Sequence, residues 1–353
     1  MGYRYIGSKD RLAATLIEQI RHKCPTATSV IDLMAGTGLF SLALRREGFR
    51  VIASDVMTYS YHHLVVNLKL SHAPEFDGLH KVVGAGDNTY CRVLEYLNHL
   101  QPEAGFFTKE YSPGGIPAVG CKPRMYFTTE NASKIDAIRR TIREWYGHRF
   151  INDIEHSLLL HDLIMAANDI ANIAGTYGHY LSHFVKRSLD GIVLIPSIFE
   201  KNDNTEGHEI RKGYAEDISP LLTADVCYID PPYIKRQYAA NYHILETLAR
   251  EDEPEAVGES GLRPWRDQYS DFCSKVKIRN AFDLIIRNIN CSDIFISYSE
   301  DGLLPINDLL DFLQQYGNVE LSKIRYKRFR SNNSQKELEL TEYLIYLHKG
   351  QAL

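Results

Sequence analysis

Residues 224–243, ADVCYIDPPYIKRQYAANYH, place an acid, two prolines and an aromatic ring directly after a short apolar run. Proline cannot donate a hydrogen bond to a sheet, so the apolar run is predicted to form a strand that ends at Asp230. The residues that follow should form a stiff, extended turn. Such a turn would hold a carboxylate and an aromatic side chain at the end of a strand.

A carboxylate beside a rigid carbonyl group can orient an exocyclic amine. The lone pair of such an amine is delocalised into its ring, which makes the nitrogen a poor nucleophile. If Asp230 and the Pro231 carbonyl each accept one hydrogen, the nitrogen is drawn toward a tetrahedral geometry and its lone pair points outward. Tyr233 would offer a face on which a base stacks after extrusion from a duplex, and Pro232 would help to keep the turn rigid.

The specificity of this tetrapeptide can be judged from average residue usage. An Asp-Pro-Pro-Tyr string is expected by chance in on the order of a few chains per thousand of this length. The alternative interpretation is a surface turn with a packed tyrosine. Its position after an apolar strand and downstream of a glycine-rich turn favours the functional interpretation.

The second candidate site is the glycine turn in DLMAGTG, which begins at Asp32 and includes Ala35, Gly36 and Gly38. The next predicted strand, VIASD, ends at Asp55, where a carboxylate can accept both hydroxyls of a ribose. The acid beside the turn would repel a pyrophosphate and suits a ligand with an ammonium group. S-adenosylmethionine is therefore the predicted cofactor, and a purely structural turn is the alternative.

The elements that position these residues alternate between strand and helix. Strand, glycine turn, helix and strand are the opening of a doubly wound, mostly parallel sheet, so an α/β fold is predicted with its ligand at the strand ends. The alternation resumes near residue 207, with strands predicted at residues 226–229 and 294–298 and a helix between them at about 272–289. The sequences VELSKIRYKRFR and ELTEYLIYLHK predict a terminal antiparallel hairpin.

The middle of the chain has a different pattern. Two segments, ENASKIDAIRRTIREWY and INDIEHSLLLHDLIMAANDIANIA, have helical spacing, with Ile135, Ile138 and Ile142 on one side of the first. We therefore predict a catalytic domain formed by residues 1–70 and 207–353, and a largely helical inserted region at 71–206.

Composition narrows the class of protein. The chain has 353 residues, 44% of them apolar, and a formal net charge of -5, so a polyanion would have to be bound by local basic patches. No apolar run is long enough to cross a bilayer and the first residues lack the apolar centre of a signal peptide, so a cytoplasmic location without membrane contact is expected. The six cysteines form no C-x-x-C pair, so we expect free thiols and no metal site.

With these motifs in this order, the sequence resembles the alpha-class (Dam-type) N6-adenine DNA methyltransferases. The resemblance rests on YIGSK near the N-terminus, DLMAGTG, Asp55, YAEDI and DPPY, and it covers both flanks of the chain. It implies a class I S-adenosylmethionine-dependent methyltransferase fold. It also implies cofactor contacts by Tyr5, Gly7 and Lys9 of YIGSK and by Asp217 near the cofactor adenine, although YIGSK lacks the family's usual paired glycines.

The implied activity is site-specific methylation of adenine N6 in double-stranded DNA, with the target base flipped into the pocket formed by Asp230, Pro231, Pro232 and Tyr233. The inserted region would carry target recognition. A restriction-modification or related self-marking system is expected, with a possible cognate endonuclease and a monomeric enzyme. Methylation of a cytosine amino group or of RNA adenine is the alternative, and a dinucleotide-dependent oxidoreductase would leave the DPPY motif unexplained.

Basic residues in two regions are candidates for contact with DNA phosphates. They are Lys122, Arg124, Arg139 and Arg140 in the inserted region, and Arg325 and Lys327 in the terminal hairpin. For the first group the alternative is the solvated face of a helix, and for the second it is an edge strand protected by charge. The sequence favours neither interpretation.

Overall fold

The structure is a computed structural model that describes residues 12–117, 122–201, 204–327 and 339–350. The chain divides into two compact units. The first, here called the sheet unit, holds the described residues of 8–64, 204–238 and 268–353. The second, the helical unit, holds those of 65–203 and 239–267.

The secondary structure of the described residues alternates as predicted at the start and becomes helical in the middle. The strands are β1 (Ser29–Asp32), β2 (Arg50–Asp55), β3 (Glu209–Lys212), β4 (Val226–Ile229), β5 (Asp293–Ser299), β6 (Gly317–Lys327) and β7 (Glu339–Lys349). The helices are α1 (Ala13–Lys23), α2 (Leu39–Arg46), α3 (Thr58–Lys69), α4 (His80–Val83), α5 (Thr89–His99), α6 (Phe106–Tyr111), α7 (Thr129–Gly147), α8 (Asp153–Ile170), α9 (Ala215–Ile218), α10 (Tyr238–Asn241), α11 (His243–Arg250), α12 (Ile278–Asn288) and α13 (Ile306–Leu313).

The sheet unit is built on one seven-stranded sheet with the order β3-β2-β1-β4-β5-β7-β6. The first five strands in this order run parallel, and β7 pairs antiparallel with both β5 and β6. The predicted doubly wound, mostly parallel sheet with a terminal antiparallel hairpin is thus confirmed. The strand order reverses between β1 and β4, because β2 and β3 follow on one side of β1 whereas β4 lies on the other, and such a switch point is where ligands bind in open α/β sheets.

Helices cover both faces of this sheet. On one face, Cys227 and Ile229 of β4 join a buried core with residues of α12 and α13. On the other face, the Phe40 ring of α2 lies 4.4 Å from the ring of Tyr228, centroid to centroid. Because side chains alternate between the faces of a strand, the fully apolar run of β4 is explained by burial on both sides.

The helical unit is organised around α7 and α8. The predicted apolar stripe of α7 is confirmed, because Ile135, Ile138 and Ile142 are all fully buried. The helix α8 begins with a capping box in which Asn152 and Glu155 satisfy each other's backbone N–H groups. No helix among the described residues has the length and apolar content needed to cross a membrane.

The division into units differs from the predicted domain boundaries in two respects. The helical unit includes residues 239–267, which follow the DPPY turn and which the sequence assigned to the catalytic domain. The boundary before the inserted region also lies inside a helix, because the first segment of the sheet unit ends at Leu64, within α3. When one helix continues from one unit into the next, its periodicity gives no sign of the boundary between them.

Candidate active site

Three carboxylates lie at the carboxyl-terminal edge of the central strands. Asp32 ends β1 and Asp55 ends β2, while Asp230 directly follows β4. The registers pair Asp32 with Ala53 on one side and with Tyr228 on the other. Because these strands are parallel, all three acids are brought to the same edge of the sheet, as the sequence predicted.

The glycine turn is held between the strands that flank β1. The Leu33 N–H donates to the Tyr228 carbonyl at 3.0 Å, and the Ala35 N–H donates to the Ser54 carbonyl at 2.9 Å. Gly36 and Gly38 then adopt positive φ angles of 55° and 73°. Side chains with a Cβ atom rarely adopt this left-handed conformation, which accounts for glycine at both positions.

Asp55 is oriented by the turn that it faces. Its Oδ2 accepts the Gly36 N–H and its Oδ1 accepts the Met57 N–H, both at 2.8 Å. The carboxylate is therefore fixed by two backbone groups on opposite oxygens. A carboxylate oxygen can accept more than one hydrogen bond, so the fixed group can also accept a pair of ligand hydroxyls.

Asp32 is buried, with 1% of its surface exposed. Its Oδ2 accepts the hydroxyl of Ser41, a residue of α2, at 2.6 Å. The pKa of Asp32 is raised from 3.8 to about 7, mainly by burial and also by the charges of Asp230 and Asp55, while the Ser41 hydrogen bond lowers it. Asp230 and Asp55 are thus close enough to Asp32 to disfavour its charged form, and a cationic ligand at this edge would relieve that repulsion.

Asp217 lies at the same edge, beyond the end of β3. That strand pairs with β2, and Lys212 lies opposite Asp55 in the register. The next residue, Gly213, donates its N–H to the Asp55 carbonyl at 3.0 Å. Asp217 follows in the short helix α9, where its side chain is exposed. It is therefore placed on the far side of Asp55 from the glycine turn.

The DPPY turn follows β4 as predicted. Pro231 is buried, whereas Asp230, Pro232 and Tyr233 are half-buried. The Tyr233 carbonyl accepts the N–H of Leu303, a residue of the loop after β5, at 2.9 Å. The stiff turn is thus fixed both by its prolines and by a neighbouring loop.

Several residues that support this edge were not found by sequence reasoning. Ser41 positions Asp32, and a side chain in the first turn of a helix carries no sequence signal for that contact. The Gln237 amide pairs with the backbone of Ser270, donating to its carbonyl at 3.0 Å and accepting its N–H at 2.8 Å. In the same segment, the Gln268 amide donates to the Val56 carbonyl at 2.9 Å. The segment 268–270 therefore contacts both the residue after Asp55 and the segment after DPPY.

Three of the predicted cofactor residues, Tyr5, Gly7 and Lys9, lie outside the described residues. Within the described part of the chain, no group of three or more His, Cys, Asp or Glu side chains converges as metal ligands would. The five cysteines in that part, which exclude Cys121, are free thiols.

Arg124 was predicted to contact a phosphate, but it lies in the interior of the helical unit and that prediction is wrong. Its side chain is 0% exposed and pairs with Glu110 at 2.8 Å. It also donates to the carbonyls of Gly258 and Glu259 at 2.8 and 3.1 Å. A guanidinium enclosed by protein oxygens has no face left for a phosphate, so this residue supports the fold.

Arg139 requires the same correction, whereas Lys122 and Arg140 are not enclosed in this way. Arg139 is 3% exposed and donates to the Asp252 carbonyl. Arg140 is half-exposed and pairs with Glu103, while Lys122 is exposed. Arg325 and Lys327 lie in β6, with their backbones opposite Thr341 and Glu339 of β7.

Comparison with known proteins gives related methyltransferases along almost the whole chain. It is 37% identical over 360 residues to the type II methyltransferase M.FokI of Planomicrobium okeanokoites, an alignment that covers 99% of this chain and 53% of that protein. It is 31% identical to the modification methylase StsI of Streptococcus sanguinis, covering 98% of this chain and 52% of that protein. The chain therefore spans about half the length of these two relatives.

A third relative matches along its full length. The type II methyltransferase M.NlaIII of Neisseria lactamica is 32% identical over 352 residues, which cover 98% of this chain and 99% of that protein. The family description that matches residues 5–307 is D12 class N6 adenine-specific DNA methyltransferase. The match begins at the YIGSK motif and includes the glycine turn, Asp55 and the DPPY turn. The resemblance drawn from these motifs is confirmed, and the chain belongs to the D12 class N6 adenine-specific DNA methyltransferase family.

Proposed function

We propose that this protein transfers a methyl group from S-adenosylmethionine to N6 of adenine at a specific site in double-stranded DNA. The observation that carries the proposal is the placement of the DPPY turn beside the glycine turn, on adjacent parallel strands. Membership of an adenine-specific family supports the substrate.

The charges at the sheet edge suit this cofactor. Asp55 and Asp230 add to burial in disfavouring the charged form of Asp32, and S-adenosylmethionine carries positive charge on its sulfonium and ammonium groups. A dinucleotide would bring a pyrophosphate to the same acids and would be repelled. Asp55 is oriented to accept the ribose hydroxyls, and Asp217, one strand further along the edge, would lie near the cofactor adenine.

The DPPY turn would then orient the amine. When bound, the cofactor supplies a methyl carbon that is open to in-line attack. Asp230 and the Pro231 carbonyl each accept one hydrogen of the target N6, so that its lone pair points outward, and Tyr233 stacks on the extruded base. Because these groups are held by prolines and by the loop after β5, the chain contributes mainly orientation.

Recognition of the DNA sequence is assigned to the helical unit. Its exposed Lys122 and half-exposed Arg140 remain candidates for phosphate contacts, as do Arg325 and Lys327 of the hairpin. Arg140 would have to leave Glu103 to reach a phosphate, which makes the exposed Lys122 the better candidate in this unit.

The cellular role follows from the names of the relatives. M.FokI and M.NlaIII are named type II methyltransferases and StsI a modification methylase, which supports a role in restriction-modification with a cognate endonuclease. A monomeric, cytoplasmic enzyme fits this role, because an asymmetric DNA site requires no twofold symmetry in the protein.

The first experiment is to incubate the protein with labelled S-adenosylmethionine and unmethylated genomic DNA, with RNA in parallel. One portion of the DNA is then digested to nucleosides to identify the labelled base, and modified positions are mapped by long-read sequencing of an undigested portion. Label in N6-methyladenine at one short DNA motif is the expected result. Label in methylcytosine or only in RNA would overturn the substrate, and no transfer to any polymer would overturn the proposed function.

A further inference from the structure

The loop that follows β5 contacts the backbone of the DPPY turn. This loop, residues 299–305, is here called the β5 loop. The Leu303 N–H donates to the Tyr233 carbonyl at 2.9 Å, so the position of the loop determines where that carbonyl is held. The next residue, Leu304, donates its N–H to the hydroxyl oxygen of Tyr298, also at 2.9 Å.

We propose that Tyr298 is a positioning residue for the methyl-transfer site, acting through the β5 loop on Tyr233. The inference rests on the proposed function, because it assigns a role in placing the target base. Tyr298 contacts the turn that holds the base by two routes: its hydroxyl fixes Leu304, and its ring packs edge-on against the Tyr233 ring at 6.0 Å between centroids.

Tyr298 is itself rigidly held. It is fully buried in the core of the sheet unit and lies opposite Tyr343 in the β5–β7 register. Its ring packs edge-on against Phe282 of α12, 6.4 Å between centroids. A buried ring on a central strand has little freedom to move, so its hydroxyl offers the loop a fixed acceptor.

Gly302 shows how closely the loop approaches this ring. A Cβ atom added at Gly302 would lie 2.3 Å from one ring carbon of Tyr298 and 2.6 Å from its hydroxyl oxygen. Real Cβ atoms do not make such contacts, so any larger residue would displace the loop from the ring. The backbone of Gly302 is held close to the ring because its N–H also donates to the Ser299 carbonyl at 3.0 Å.

The sheet unit offers a matched control for the loss of a tyrosine hydroxyl. Tyr346 of β7 donates its hydroxyl to Asp293 at 2.6 Å. Asp293 begins β5, whereas Tyr298 lies near its end, so the two hydroxyl groups are at opposite edges of the sheet. Tyr346→Phe therefore also removes a tyrosine hydroxyl from the sheet unit, and the hydrogen bond that it breaks is far from the DPPY turn.

The test compares Tyr298→Phe and Tyr346→Phe with the wild-type protein on an unmethylated duplex that contains the recognition motif. Single-turnover methyl transfer is measured on a duplex with adenine at the target position, base extrusion by the fluorescence of a second duplex with 2-aminopurine at that position, and S-adenosylmethionine affinity by calorimetry. We expect Tyr298→Phe to slow transfer at least about tenfold and to reduce the fluorescence change, with cofactor affinity within about twofold of wild type, because small misplacements strongly reduce rate. Tyr346→Phe should transfer at the wild-type rate.

A second variant keeps the inference testable if the first perturbs folding. Gly302→Ala leaves Tyr298 intact but forces the loop away from it, and should slow transfer in the same way with a melting temperature close to wild type. Transfer at the wild-type rate by both Tyr298→Phe and Gly302→Ala would overturn the inference alone. A wild-type protein that is folded but inactive on all nucleic acids would overturn the proposed function, and the inference with it.

Discussion

Arg124 in the helical unit donates to four oxygen atoms of Glu110, Gly258 and Glu259, whereas Asp32 at the sheet edge shares its surroundings with two other acids. Both side chains are buried. The guanidinium has its charge neutralised by Glu110 and its donors satisfied, while the carboxylate is repelled by Asp55 and Asp230. Burial of a charge alone therefore says little about its role.

Under the proposed function, Arg124 is a charge that stabilises the fold, whereas Asp32 belongs to a group of charges that bind a ligand. Satisfied buried ion pairs are strongly destabilising to break, because one partner is left buried and uncompensated. Acids placed near one another reduce stability and are typical of functional sites. Substitutions in the two regions should accordingly affect different measurements.

The largest effect is expected at the sheet edge for Asp230→Ala. This variant removes an acceptor for the target amine, so methyl transfer should fall by about 10²–10³-fold or more. Cofactor affinity should remain within about threefold of wild type, because Asp230 is assigned to the base and not to the cofactor. Single-turnover methylation and calorimetry measure the two quantities. A folded variant that loses cofactor binding in parallel would show that Asp230 is misassigned.

In the helical unit, Arg124→Met should act on stability. It leaves the buried Glu110 with only the exposed Lys109 as an ion-pair partner, and loss of the buried partner of such a pair typically costs about 3–5 kcal/mol of unfolding free energy. Urea unfolding measures this loss. The control is Arg140→Ala, which breaks a pair of half-exposed side chains in the same unit and should cost less than about 1 kcal/mol. Equal losses in the two variants would contradict the distinction between enclosed and surface charges.

Asp55→Ala tests the cofactor side of the sheet edge. It removes the equivalent of at least one charge-assisted hydrogen bond of about 1.5–3 kcal/mol, so S-adenosylhomocysteine should bind at least about 10–100-fold more weakly. The matched control is Asp225→Ala at the opposite end of the strands, where the carboxylate accepts hydrogen bonds from Thr28 and Ser29. That variant should lower the melting temperature and leave ligand affinity unchanged. A loss of affinity in both variants would mean that general destabilisation weakens binding.

The smallest effect concerns the pH dependence contributed by Asp32. Its pKa is about 7 in the folded protein and near 3.8 when unfolded, so the folded state holds this proton more tightly. Between about pH 4 and pH 7 the carboxyl therefore makes stability fall as pH rises. Asp32→Asn removes this contribution while its amide oxygen can still accept from Ser41. The unfolding free energy of the variant minus that of wild type should increase from pH 4 to pH 7.5, and a difference independent of pH would contradict the raised pKa.

The sequence predicted the sheet edge because strand ends are marked by local signals. Asp32, Asp55 and Asp230 each end or directly follow an apolar run, and parallel strands bring such ends together. One strand of the sheet was missed for a local reason. The strand β3, EIRK, is polar and only partly buried at the edge of the sheet, so it lacks the apolar run that marked its neighbours.

The sequence did not predict which basic residues are enclosed. Arg124 and Arg139 donate to carbonyls of residues 252–259, more than one hundred positions away along the chain. Helical spacing shows which residues share a face of a helix but not what covers that face. The same limit explains why residues 239–267 were assigned to the catalytic domain, since their own pattern gives no sign of the α8 helix that α11 contacts.

The order of segments along the chain also affects how the protein is made. In β1, Val30 pairs with Val226 of β4, and in β2, Ile52 pairs with Glu209 of β3. During translation, these first two strands therefore leave the ribosome long before their outer neighbours exist. The helical unit likewise cannot complete its fold until residues 239–267 have been synthesised. Both units are thus expected to complete their folding late in synthesis. Until then the nascent chain has unpaired strand edges, which chaperones would need to shield from aggregation.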